Sequence, residues 1–144
     1  MRYSVLLVED ESALRELFSS VLSNAGHSVL VAEDGKKALD IVDGINGLPF
    51  VLLTDVVLPG MNGHELAKHV LRLRAKTKVG FITGWFDQKL VQLGKCSDCR
   101  CVLRKPFTNS ELVNFVARIA SQDVCQGLSD QPKSREAYLE QRAR

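Results

Sequence analysis

Phe50-Val51-Leu52-Leu53-Thr54-Asp55, followed by Val56-Val57-Leu58-Pro59-Gly60-Met61-Asn62-Gly63, is the stretch whose reading decides the fold. Its first half is an almost unbroken apolar run of strand length, with β-branched residues and no polar alternation. Such a strand is covered on both faces, which places it in a parallel sheet. It closes on a carboxylate. Ligands of open α/β sheets sit outside the carboxyl ends of the strands, so Asp55 is expected at the working edge and not in the core. Pro59-Gly60 and Asn62-Gly63 then break the chain into a loop.

Outward from this strand the pattern repeats. Tyr3 to Val8 is a second apolar run, and it ends in Glu9-Asp10-Glu11. Ser12 is placed to cap a helix whose Leu14, Leu17, Phe18, Val21 and Leu22 recur at intervals of three and four, the spacing of one buried stripe. Asn24-Ala25-Gly26 stops it. Ser28 to Ala32 is a short strand, and Asp34-Gly35 turns into a helix carrying Ala38, Leu39, Ile41 and Val42 toward the core. Beyond the opening stretch, Glu65 to Leu73 is an amphipathic helix and Val79 to Thr83 a fourth strand. A shorter helix is expected near Phe86 to Leu93. Cys101 to Arg104 reads as a fifth strand and runs into Lys105-Pro106-Phe107. Thr108-Asn109-Ser110-Glu111 is a capping box before a last helix with Leu112, Phe115, Val116 and Ile119 on its apolar face. Five strands alternating with five helices predict an α/β fold: a doubly wound, five-stranded parallel sheet with right-handed crossovers and helices on both faces.

That domain is read as residues 1–121. Residues 122–144 have loop composition and little to bury, and are expected to form a polar C-terminal tail, disordered or at most a marginal helix. A length of 144 residues suits one domain with a real core. Nineteen basic residues against seventeen acidic leave +2, too balanced to imply nucleic acid or an anionic membrane as partner. No apolar run approaches the ~20 residues that span a bilayer, and Met1-Arg2-Tyr3 enters directly into a strand, so a cytoplasmic protein with a genuine amino terminus is expected. Four cysteines, Cys96, Cys99, Cys101 and Cys125, do not resemble a disulfide framework, and reduced thiols are the expectation.

Reactive groups now mark four strand ends: Glu9 and Asp10, Asp55, Thr83, and Lys105. In a doubly wound sheet these ends lie side by side, so residues remote in sequence can share one pocket. Packed carboxylates raise one another's pKa unless a cation sits between them, and a hard divalent ion with oxygen ligands, Mg²⁺ above all, answers that need. Lys105 adds a point positive charge for Asp55 or for an incoming phosphoryl oxygen, and Thr83 can donate a hydrogen bond to the same group. Together they make a phosphoryl-transfer site. The sequence has no Gly-rich Walker loop, no nucleotide fingerprint, and no His or Cys at a strand end as an alternative nucleophile.

Val8-Glu9-Asp10-Glu11, Leu53-Thr54-Asp55 through Gly63, Thr83-Gly84 and Lys105-Pro106-Phe107 resemble the motifs of the receiver domain of bacterial two-component response regulators, the CheY-like type. The resemblance covers about Arg2 to Ser121, with all four pieces in order. It implies a flavodoxin-like sheet of strand order 2-1-3-4-5. It implies that Asp55 accepts a phosphoryl group from a phosphohistidine on a sensor histidine kinase or histidine phosphotransfer protein, with Thr83 and Lys105 as its catalytic partners. It implies that Glu9, Asp10, Asp55 and the Val57 carbonyl bind Mg²⁺, Glu9 standing in for a more usual aspartate. It also implies a cis Lys105-Pro106 bond, and a switch in which Thr83 moves toward the phosphate while the face around Phe86 to Leu93, the fifth strand and the last helix repacks. Many receivers carry an aromatic residue three positions before the lysine; Val102 stands there, so no aromatic ring can rotate to report the switch. The family's positions two past the aspartate and two past the threonine flank the phosphoryl group. Val57 and Trp85 occupy them, neither can orient a water, and slow self-dephosphorylation is expected.

Such a protein would be no enzyme beyond its own phosphorylation and hydrolysis, a monomer or weak dimer whose output passes by contact to an unknown downstream protein. It would be a free-standing regulator or a receiver cut from a hybrid kinase. The rival reading, a Mg²⁺-dependent phosphatase acting through an aspartyl phosphate, wants a second aspartate where Val57 stands. A phosphorylation-independent binding module is the third reading. Cys96-Ser97-Asp98-Cys99-Arg100-Cys101 could hold zinc or form a redox pair, but Cys101 begins a strand and no second paired cluster exists, so incidental thiols are preferred. His27, His64 and His69 read as surface residues.

Overall fold

A computed structural model of the chain describes residues 2–44, 50–84 and 101–121. The elements, in order, are β1 (Ser4–Val8), α1 (Ser12–Asn24), β2 (Ser28–Ala32), α2 (Gly35–Gly44), β3 (Val51–Asp55), α3 (Gly63–Leu73), β4 (Lys78–Thr83), β5 (Val102–Arg104) and α4 (Asn109–Ser121). The five strands form one parallel sheet in the order β2-β1-β3-β4-β5. The expected helix near Phe86 to Leu93, Trp85 and the tail from Gln122 lie outside the described residues.

All five residues of β3 are buried, as its unbroken apolar sequence requires of a central strand covered on both faces. At one edge, β2 leaves Leu30 and Val31 about two-fifths exposed. Helices α1 and α4 pack together, as do α2 and α3. Gly80 lets α4 approach β4 closely, because a β-carbon there would stand 2.8 Å from the Phe115 ring.

Local chemistry starts three of the helices. The Asp34 carboxylate accepts the Lys37 amide proton at 2.8 Å, Asn62 accepts that of Glu65 at 2.9 Å, and Thr108 accepts that of Glu111 at 3.1 Å. Helix α1 differs from its expected start: Glu11, not Ser12, is the capping residue, and no side chain caps it. Its buried stripe is also narrower, with Phe18 and Leu22 buried but Leu17 49% exposed.

Two further expectations are corrected. Cys101, buried just before β5, is disulfide-bonded, its partner lying outside the described residues. Composition sets the default state of thiols and does not fix which of them meet. His27 and His64 are buried, not on the surface. His27 stacks on Tyr3 with ring centroids 5.6 Å apart, and its Nδ1 accepts the Tyr3 amide proton at 3.0 Å. His64 packs on Phe81 at 4.3 Å, both its ring nitrogens without a hydrogen-bond partner among the described residues.

Burial, then the positive amino terminus, holds the His27 imidazole below its ordinary 6.5. Burial, then Lys68, does the same for His64. The unfolded chain therefore takes up protons first on acidification. The stability each neutral ring contributes is complete above about 6.5 and declines as pH falls through that value. The excess in urea midpoint of wild type over His27→Gln is expected to shrink between pH 7 and pH 5. A constant difference would show that the ring does not titrate differently on folding.

Candidate functional site

Parallel register aligns the carboxyl ends of the strands. Val8 pairs with Thr54, Asp55 with Ile82, and Thr83 with Arg104. The ladder runs slightly beyond the strands, through Glu9 N to Ala32 O at 3.1 Å, Val56 N to Ile82 O at 3.0 Å and Lys105 N to Thr83 O at 2.8 Å. Each reactive residue thus leaves the sheet with its backbone still held. Glu9, Asp55 and Thr83 are buried there, while Asp10 is exposed.

The loop after Asp55 folds back tightly. Gly63 N donates to Val56 O at 2.8 Å, and a β-carbon on Gly63 would fall 2.2 Å from the Asp55 carbonyl oxygen. Only glycine fits. The Thr54 hydroxyl also donates to that carbonyl, at 3.0 Å. Val57, two residues past Asp55, is 59% exposed.

Lys105 closes the site from the far side of the sheet. Its Nζ lies 3.2 Å from Glu9 Oε2 and 3.2 Å from Asp55 Oδ2, joining residues 96 and 50 positions away. The Lys105-Pro106 peptide is cis, as the resemblance implies. Phe107 packs on Phe18 with centroids 5.1 Å apart, and the ammonium stands 5.9 Å from the Phe18 ring.

One oxygen from each of Glu9, Asp10 and Asp55 lies within 4.8 Å of the others. All three donors are hard oxygens at a separation a single small divalent cation can bridge, so the residues present fit the ion expected of them. Burial, then the hydrogen bond and charge of Glu9, push the Asp55 carboxyl up to about 8 against the opposing pull of Lys105. Burial lowers Lys105, but Asp55 and Glu9 outweigh it, and the ammonium is held above its ordinary range. Without a further cation the cluster keeps a proton near neutral pH. A cation held there would displace that proton and leave an Asp55 carboxylate oxygen ionised.

The expected residues Glu9, Asp10, Asp55 and Lys105 are therefore brought together, and Thr83 ends the strand beside Asp55. Sequence reasoning missed Arg15, whose Nη1 donates to Glu9 O at 2.9 Å and to Asp10 O at 3.5 Å. Its position in the first helical turn, within reach of the acids that precede the helix, was the available signal.

The sequence matches the model of the family described as the response regulator receiver domain over residues 5–117. It is 36% identical over 124 residues to the DNA-binding response regulator MtrA of Mycolicibacterium paratuberculosis, covering 85% of this chain and 54% of that protein. It is 34% identical over 119 residues to the response regulator receiver protein CpdR of Brucella abortus, covering 80% of this chain and 94% of that protein. The solved structure of the chemotaxis response regulator CheY4 of Vibrio cholerae matches with a TM-score of 0.69 at 28% identity, over 83% of this chain and 99% of that one. The chain spans about half the length of MtrA and of similar curated relatives.

With metal withheld, Lys105→Met should carry the Asp55 titration higher and Glu9→Gln should bring it down, read from the carboxyl carbon-13 shift against pH. Because the folded value lies above the free carboxyl's 3.8, the contribution of Asp55 to metal-free stability is lost as pH rises toward 8. An Asp55 that titrates alike in all three proteins would mean that the three side chains do not interact.

Proposed function

The chain belongs to the response regulator receiver domain family of two-component signalling, and on that premise we propose that Asp55 accepts a phosphoryl group from a phosphohistidine of a sensor histidine kinase or histidine phosphotransfer protein. Receiver domains generally bind Mg²⁺ at an acidic pocket. Here Glu9, Asp10 and Asp55, with the Val57 carbonyl, would hold the ion, whose charge when bound neutralises phosphoryl oxygens. The single observation that carries the reading is the Lys105 ammonium shared at 3.2 Å by Glu9 and Asp55.

A carboxylate oxygen of Asp55 attacks the phosphorus in line with the nitrogen–phosphorus bond. That bond breaks, its electron pair returns to the imidazole, and an aspartyl phosphate remains. Lys105 exchanges its contact with Asp55 for a phosphoryl oxygen, a charge-assisted bond it can make without leaving the pocket. Thr83 donates its hydroxyl to a second oxygen. Burial of Glu9, Asp55 and Thr83 keeps water from competing for these contacts.

The protein acts as a signalling module with no turnover beyond its own phosphorylation and dephosphorylation. Repacking around Thr83 carries the signal, and output passes by protein contact in the cytoplasm. The DNA binding in the name of MtrA is a property of that protein. A phosphatase acting through an aspartyl phosphate is less well supported, because the exposed Val57 stands where such an enzyme needs a second acid.

Incubation with Mg²⁺ and acetyl phosphate or phosphoramidate should raise the intact mass by one phosphoryl group, and Asp55→Asn should abolish the gain. Folded wild type that gains no mass would overturn the assignment. Because the Val57 side chain cannot orient an attacking water, Val57→Asn should hasten decay of the aspartyl phosphate at least a few-fold. Equal decay in the two proteins would count against a role for that position.

A further inference from the structure

Helix α1 begins without the device that starts the other described helices. Asp34, Asn62 and Thr108 each accept an amide proton in the first turn of α2, α3 and α4, whereas Glu11 caps α1 in an extended conformation (φ −82°, ψ 116°) with no side-chain bond. The connection between β1 and α1 is only Glu9, Asp10 and Glu11, and it carries two of the three clustered carboxylates. Its internal tie, from Glu11 N to Glu9 Oε1, is long at 3.4 Å. Asp10 is exposed, so packing does not fix it.

The connection is secured instead from the end of the helix's first turn. Arg15 is half-buried, its backbone amide is bonded to Glu11 O at 2.9 Å, and its Nη1 donates to Glu9 O at 2.9 Å and to Asp10 O at 3.5 Å. The one nitrogen serves both successive carbonyls, closely at Glu9 and at longer range at Asp10, and the guanidinium charge strengthens the shorter bond. We propose that Arg15 is a positioning residue for cation binding: by gripping the Glu9 carbonyl, with a longer contact to that of Asp10, it fixes the backbone from which both carboxylates project. The inference rests on the reading of Glu9, Asp10 and Asp55 as the Mg²⁺ ligands.

The sign of one measurement separates this role from simple electrostatics. A positive charge near the site repels Mg²⁺, so if Arg15 acted through charge alone, Arg15→Met would bind the ion more tightly. If Arg15 positions the ligands, Arg15→Met binds more weakly, by roughly 10-fold on the scale of partners that orient metal ligands. Arg15→Lys keeps the charge but on a shorter side chain that does not carry its nitrogen as far as Nη1, and falls between the two.

The experiment is calorimetric titration of wild type, Arg15→Met and Arg15→Lys with MgCl₂ at pH 7. It is paired with amide hydrogen exchange of the metal-free proteins. Weaker binding in the order wild type, Lys, Met is expected, together with faster exchange confined to residues 9–11 while β3 stays protected. Equal or tighter Mg²⁺ binding by Arg15→Met overturns the inference. If Arg15→Met does not fold, Arg15→Lys decides by itself, and an affinity equal to wild type overturns it. Wild type that binds no Mg²⁺ sinks the metal assignment instead, and the two failures are distinguishable.

Discussion

One ammonium between two buried carboxylates is the contact on which the rest of this structure depends. Lys105 reaches Glu9 and Asp55 at equal distance, and neither acid has another cationic partner among the described residues. Removing the cation from such a buried cluster typically costs about 3–5 kcal/mol, because the carboxylates are left without compensation. The strand order is then a condition of the chemistry. Asp55 ends β3, Glu9 follows its neighbour β1, and Lys105 follows β5 two strands away on the other side, so only a long side chain at that edge reaches across.

The scaffold earns its rigidity from what lies behind that edge. β3 is buried along its whole length, and Leu6, Leu7, Leu52, Leu53, Phe81 and Ile82 form the centre of the core. Strands held this firmly deliver side chains at their ends with little freedom, whereas the connections beyond them are short and individually fastened. Asn62 starts α3, Thr108 starts α4, and Arg15 reaches back to the connection before α1. Phe107 on Phe18 ties the segment after Lys105 to α1, so the ammonium is anchored on both sides of its own backbone.

Much of this was legible before any coordinates. Unbroken apolar strands ending in acids, a hydroxyl and a lysine announce a parallel sheet and a shared edge, and the observed strand order agrees. What sequence could not show was of two kinds. Periodicity identifies a helical face but not its width, and Leu17, which shares the apolar spacing, lies half in solvent. Residue type sets a default that packing can override. His27 is buried with its Nδ1 accepting a backbone amide proton, and His64 lies against Phe81 with nothing in its neighbourhood of the chain to foretell it. Arg15 was hidden for a related reason: its partners are carbonyls, which every residue has and which no motif records.

The glycine pressed against the Asp55 carbonyl has a consequence for how such a site can diverge. With the 56–62 connection clasped at both ends, its length and path are fixed by backbone contact rather than by side-chain choice. Insertions would unseat Asp55 itself. The outward-facing Val57 lies inside that clasp and packs against little, so it can be exchanged without moving the aspartate. If that position sets the lifetime of an aspartyl phosphate as proposed, the lifetime can be reset at one surface residue while the fold stays unchanged.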